Sequence, residues 1–162
     1  ISARHGFSFK DGTVSVRVKF HDKIDRLRLN FADVPAENVG VNPLDAKHLF
    51  DAIITLGGIS FEDKIGGVLS PGIKENRKNG TLTKEQKKFL STKYKVFRHK
   101  LEPDKWYTFA VHLDGDKISA HLDDKYIGEL RSSGFDNPTK TLMRYLVQGA
   151  ITIDDFMVWR RK

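Results

Sequence analysis

The chain has 162 residues, with 28 Lys and Arg against 21 Asp and Glu, a formal net charge of +7 and no cysteine. That length suits one domain able to bury about two-thirds of its unfolded surface, and the missing cysteines exclude disulfide staples, thiolate metal sites and cysteine nucleophiles. The apolar runs, such as AIITL at residues 52–56, fall short of the roughly 20 residues of a membrane helix, and the opening ISARHGFSFKDG has no signal-peptide pattern.

Period-two alternation dominates from the start. In TVSVRVKF (residues 13–20), Val14, Val16, Val18 and Phe20 share one face while Arg17 and Lys19 take the other. In DRLRLNF (residues 25–31), Leu27, Leu29 and Phe31 oppose Arg26, Arg28 and Asn30. Joined through HDKI, the two segments are expected to pair as a hairpin, with residue 18 opposite 27 and 16 opposite 29. Such a register sets Lys19 against Arg26 and Arg17 against Arg28. A like-charge ladder of that kind calls for a neutralising carboxylate or an anionic ligand, so Arg17, Arg26 and Arg28 are candidate ligand contacts.

LFDAIITL, then Gly57-Gly58, then ISFED reads as a second hairpin. Between Lys64 and Gly80 the alternation stops, and Gly66, Gly67, Pro71 and Gly72 mark a long loop. Thr83 followed three residues later by Gln86 is a capping box that opens one short helix. Loop and helix form an insertion over about residues 64–92. Ten of the Lys and Arg lie from Lys74 to Lys100, against only Glu75 and Glu85, so this segment makes the protein basic. It suits either an anionic partner or a plain solvated surface.

KYKVFRH, WYTFAVHL, ISAHL, KYIGEL, TLMRYLVQ and AITIDDFMVW complete ten or eleven strands. The expected fold is all-β, a β-sandwich of two antiparallel sheets occupying residues 1–162 as a single domain. In the last strand Ile151 and Ile153 are odd-numbered but Phe156 and Val158 even, with Asp154 and Asp155 at the switch. Either both faces are buried or a bulge sits there. Two adjacent acids at a bulge can ligate a structural calcium or meet an arginine, so Asp154 and Asp155 are candidate metal ligands.

Residues 104–130 hold the densest polar pattern. With Gly115 and Asp116 as a two-residue loop, Tyr107, Phe109, Val111 and Leu113 join Ile118, Ala120 and Leu122 on the core side. Trp106, His112, His121 and Asp123 then share the other face, an aromatic plate beside hydrogen-bonding groups of the kind a pyranose ring needs. The same residues are equally consistent with a solvated hairpin. His112 and His121 come out as diagonal neighbours, candidates for catalysis but short of the third protein ligand that zinc asks for. The basic run lacks interleaved exposed aromatics and any nucleic-acid motif, so nucleic acid is not an expected partner.

The C-terminal pattern of Trp106-Tyr107, Asp114-Gly115, Asp123-Asp124 and Ile153-Asp154-Asp155-Phe156-Met157-Val158-Trp159 resembles the closing half of concanavalin A-like lectin/glucanase jelly rolls. The likeness is nearest to the laminin-G-like and 3-keto-disaccharide-hydrolase-like domains of bacterial polysaccharide-degrading systems. It covers residues 94–162 well and the first half by strand pattern. Its implication is a carbohydrate-interacting domain that takes glycans, anionic polysaccharide among them, and that is secreted or periplasmic. Retaining glucanases of this superfamily carry acids at alternating positions so that two carboxylates flank one bond at about 5 Å. Here Glu37, Glu62, Glu75, Glu85, Glu102 and Glu129 stand in no such motif. The enzyme alternative is a small glycoside hydrolase or a polysaccharide lyase built on His112 and His121 with a Tyr or Arg. A third reading is an adhesion or scaffolding sandwich with no ligand pocket.

Overall fold

The computed structural model describes residues 2–34 and 46–161, with side chains from residue 8 onward; Glu37 lies outside the described residues. Strands β1 (Ser2–Phe9), β2 (Gly12–Lys19), β3 (Arg26–Asp33), β4 (Lys47–Thr55), β5 (Gly58–Asp63) and β6 (Tyr94–Arg98) are followed by β7 (Trp106–Asp114), β8 (Lys117–Leu122), β9 (Lys125–Arg131), β10 (Lys140–Gln148) and β11 (Thr152–Arg160). They form a six-stranded antiparallel sheet, β1-β10-β3-β4-β5-β6, facing a five-stranded one, β11-β2-β7-β8-β9. The expected two-sheet jelly-roll sandwich is therefore the observed fold.

The inward sets predicted by alternation meet between the sheets. Val14, Val16 and Val18 from β2, Leu27, Leu29 and Phe31 from β3, and Phe109 and Val111 from β7 are all fully buried. Phe31 stacks on Phe50 with centroids 4.6 Å apart, and Phe135 meets Phe50 edge-on at 5.1 Å. Each such side chain contributes about 1.5–3 kcal/mol by leaving water, and the aromatic contacts fix their relative positions.

One pairing differs from expectation. β2 and β3 do not form a hairpin: β2 lies between β11 and β7, and β3 between β10 and β4. Residues 20–25 cross from one sheet to the other, held by Asp25, whose carboxylate accepts from the backbone N–H of His21 at 2.7 Å and Asp22 at 2.8 Å. Alternation in β2 and β3 satisfies the core equally well from opposite sheets, so it left the pairing open. The like-charge ladder does not arise. Arg17 instead lies opposite Asp154, and Arg28 opposite Ile53 and Leu146.

The turns follow local chemistry. β4 and β5 close over Leu56-Gly57, one residue earlier than Gly57-Gly58. In the β7–β8 hairpin Leu113 faces Ile118, Val111 faces Ala120 and Phe109 faces Leu122, as the two-residue loop requires. Asp123 and Asp124, at φ +48° and +64°, are the two central residues of the β8–β9 turn, the type I′ geometry that matches strand twist. In β11 the register shifts between Asp154 and Met157, with Asp155 at φ +45°, so the broken alternation marks a bulge.

Helix α2 (Lys84–Ser91) starts at Thr83, whose hydroxyl accepts from Gln86 N–H at 3.1 Å while the Gln86 side chain accepts from Thr83 N–H. A shorter helix, α1 (Ile73–Lys78), precedes it, and a wide helical turn at Lys64–Val68 leads in from β5. Asp63 anchors the insertion. Its fully buried carboxylate accepts from Gly66 N–H at 2.8 Å, Gly134 N–H at 3.1 Å and the Ser132 hydroxyl, with Lys93 Nζ 3.8 Å away.

Candidate functional site

The nine residues singled out from the sequence divide between the two outer faces of the sandwich. Arg17, Trp106, His112 and His121 stand on the outer face of the five-stranded sheet, Arg26 and Arg28 on that of the six-stranded sheet, and Asp154 and Asp155 in the β11 bulge beside Arg17. Asp123 is a correction: it sits in the turn rather than on the sheet face, and its carboxylate accepts from Thr108 N–H at 2.8 Å.

On the five-stranded sheet, Trp106 is already partnered by cations. Arg17 lies 4.8 Å and the Lys19 ammonium 5.2 Å from its ring centroid, so a sugar stacking there competes with cation–π contacts. Arg17 also reaches Asp155 at 3.3 Å and Asp154 at 3.8 Å. The histidines pack together as the diagonal register demands: His112 and His121 meet edge-to-face at 4.5 Å, and Tyr126 stands on His121 at 5.5 Å. His112 Nδ1 shares a 2.7 Å hydrogen bond with the Thr13 hydroxyl. Burial, then the neighbouring His121, pushes the His112 pKa down, so the ring is a neutral base near pH 7. It lines a groove of about 370 Å³ with Thr13, Ser119, Asp114, Lys117 and the half-exposed Trp159. Among the described residues no group of three or more His, Asp or Glu has metal-holding geometry.

The six-stranded sheet carries a polar constellation in its centre. Asp51, fully buried on β4, accepts from Asn30 Nδ2 at 2.5 Å and is ion-paired with Lys64 at 2.6 Å and Arg28 at 3.5 Å. Arg144 of β10 donates from Nε to the Asn30 side-chain Oδ1 at 3.1 Å and lies 3.1 Å from the His48 ring nitrogens. Burial first, then the charges of Arg144 and Lys64, lowers the His48 pKa. Multiple charge-assisted bonds of this kind hold side chains in one geometry. Arg28 is thus committed to Asp51, whereas Arg26 donates to the Gln148 side chain at 2.6 Å.

Two residues further along the same strands the outer face opens into a groove of about 570 Å³, walled by Ile53, Tyr94 and Val96. Tyr94 and Val96, on edge strand β6, are about half exposed. Arg26, Arg98, Lys100 and His99 supply its charge, with Thr55 and Ser60 as hydroxyls, and its described lining contains no carboxylate. Of the sequence candidates only Arg26 belongs here. The signals for the rest were present but small: an acid at Asp51 inside the apolar run LFDAIITL, and a tyrosine and a valine at alternate positions in the basic segment.

No protein-family model matches the chain, and no curated protein matches its sequence. Solved structures do match its fold. Carbohydrate-binding module CBM66 from Bacillus subtilis aligns over 97% of this chain and 81% of its own at a TM-score of 0.58 and 10% identity. Sheep galectin-11, solved in complex with glycerol, aligns over 98% and 96% at 0.60 and 9%. Bacillus licheniformis β-glucanase aligns over 99% and 71% at 0.59 and 8%. These are concanavalin A-like jelly rolls, so the fold implied by the C-terminal motifs is the fold of this chain.

Proposed function

We propose that this chain is a carbohydrate-binding β-sandwich that takes anionic glycans on the outer face of its six-stranded sheet. The observation that carries the reading is the groove beside Tyr94, with Arg26, Arg98, Lys100 and His99 and no described carboxylate. Tyr94 offers an apolar ring face to a sugar's C–H surface, and the guanidiniums suit carboxylate or sulfate in paired hydrogen bonds. The network at Asp51, Asn30 and Arg144 stiffens the adjoining sheet. The basic insertion extends the positive field that draws a polyanion in. The names of the similar structures, a carbohydrate-binding module, a galectin and a glucanase, support the same class. Polymers of this kind meet a secreted or periplasmic domain.

Calorimetric titration with uronic or sulfated oligosaccharides and their neutral counterparts tests this. Tighter binding of the charged set, weakening at high salt, is expected. Arg98→Ala and Tyr94→Ala should each lose about tenfold, or about 1.4 kcal/mol, while His112→Ala binds normally. Equal binding of charged and neutral glycans would remove the anionic preference, and loss only in His112→Ala would move the site to the five-stranded sheet.

A second reading, β-elimination on a uronic acid, is favoured by one observation: His112 lines a groove where burial lowers its pKa, with His121 and Tyr126 packed edge-on beyond it. A positioned neutral imidazole can abstract a proton α to a carboxyl group. Growth of the unsaturated product's ultraviolet absorbance on a uronic polymer, lost in His112→Ala, is the expected result for that reading.

A further inference from the structure

At one end of the five-stranded sheet three side chains form a relay that neither reading uses. His21 Nδ1 lies 2.6 Å from Asp104 Oδ1, and His21 Nε2 lies 3.0 Å from the Thr152 hydroxyl oxygen. A carboxylate can only accept, so in the neutral ring Nδ1 carries the proton and Nε2 is left to accept from the Thr152 O–H. This is the orientation in which an acid–imidazole pair activates a hydroxyl nucleophile, recognised by roles and distances rather than by order in the chain.

The surroundings hold the three in place. Asp104 adopts φ +60°, a left-handed conformation uncommon for a residue other than glycine, and its N–H donates to the Phe20 carbonyl at 2.7 Å. That bond ties the turn before β7 to the residue preceding His21. The buried Asp25 accepts from His21 N–H at 2.7 Å and from Ala150 N–H at 3.0 Å, so one carboxylate fixes both the base and the approach to β11, where Thr152 begins the strand. Thr152 is exposed, opposite its ladder partner Lys19, so a substrate can reach it from solvent. His21 also forms part of the wall of a groove of about 700 Å³ whose apolar side is Leu56, Leu101 and Pro103.

From this geometry we propose that Thr152, His21 and Asp104 constitute an esterase site for carboxylic esters with a small acyl group, the apolar groove receiving one arm of the ester. Thr152 Oγ1 attacks the ester carbonyl carbon as its proton passes to His21 Nε2. The tetrahedral species expels the alcohol, which takes that proton, and leaves an acyl ester on Thr152. Water, deprotonated by His21, then attacks the acyl carbon, and the carboxylic acid departs as the proton returns to Thr152. Asp104 is a positioning residue that holds the tautomer and steadies the imidazolium. The activity is independent of glycan binding.

The test is hydrolysis of p-nitrophenyl acetate and butyrate by the full chain, with peptide mass spectrometry of acid-quenched samples. Expected are turnover above buffer, an acyl adduct on Thr152, and a loss of about a hundredfold or more in Thr152→Val, which keeps the β-branched shape without the hydroxyl. Thr152→Ser retains the adduct at position 152. Asp104→Asn lowers kcat while leaving KM unchanged, a split that a merely structural role would not give. Circular dichroism melts confirm that each variant is folded. Wild-type rates in folded Thr152→Val, or an adduct only on lysines, would overturn the proposal.

Discussion

Asp63→Ala is expected to be the most damaging single substitution outside the hydrophobic core. The carboxylate is fully buried and accepts from three donors, Gly66 N–H after β5 and the Ser132 hydroxyl and Gly134 N–H before β10, with Lys93 after α2 as its ion-pair partner at 3.8 Å. Removing it strands two backbone N–H groups, each worth about 1–3 kcal/mol when buried and unmade. It also leaves the Lys93 ammonium, whose side chain is 14% exposed, with the Ser132 hydroxyl at 2.8 Å as its remaining side-chain acceptor. Breaking a buried ionic contact from one side costs about 3–5 kcal/mol. Because water can enter part of the space, the sum settles at about 4–6 kcal/mol, a large share of a typical domain's stability. Asp63→Asn, which keeps the shape and loses the charge, should cost about half as much. Urea unfolding followed by tryptophan fluorescence measures both, and a loss under about 1 kcal/mol for Asp63→Ala would refute the view that this carboxylate anchors the insertion.

Gly128 tests the packing where β6 meets β9. A Cβ there would run into the Phe97 ring, which packs edge-on against Phe61 at 5.8 Å, so Gly128→Ala should cost about 1–3 kcal/mol and become nearly neutral in a Phe97→Ala background, as a double-mutant cycle would record. Acid should destabilise the protein through its histidines. His48 and His112 are both held below the usual 6.5 chiefly by burial; beneath that pH the unfolded chain binds more protons than the folded one, so stability falls as pH falls. The decline in melting temperature from pH 7 to 5 should be shallower in His48→Gln. Lys140 acts at the alkaline end. Its buried amine donates to the Lys10 carbonyl at 2.5 Å and the Asn137 carbonyl at 3.1 Å, and burial lowers its pKa to about 8. Between about pH 8 and 10.5 the unfolded lysine holds a proton that the folded one has released, so this group adds stability as pH rises. The gain is on the order of 3 kcal/mol, and it should vanish from the pH dependence of Lys140→Met.

Much of the fold was legible because alternation, turns and caps are local. Val14 to Phe20, Tyr107 to Leu113, the Gly115-Asp116 loop and the Thr83–Gln86 box each depend on residues a few positions apart, and each stands where the local pattern placed it. The broken period at Asp154 and Asp155 was likewise a local sign of a bulge. β1, with SARHGFSF and no alternating apolar set, carried no such sign; it is a strand because β10 pairs with it.

Which strands become neighbours is a different matter. The pattern in β2 and β3 is satisfied by any partner that buries the same face, and only closure of the whole sandwich separates them into opposite sheets. That separation put Arg17 beside Asp154 and Asp155, sent Arg26 to a groove with Tyr94 and Arg98, and left Arg28 on Asp51. It also brought together His21, Asp104 and Thr152, which are far apart in the chain. Amino-acid sequence alone thus determined which faces are apolar and where the chain turns, since those are settled within a few residues. The convergence of polar side chains into sites was decided by tertiary structure, because it depends on register between distant strands.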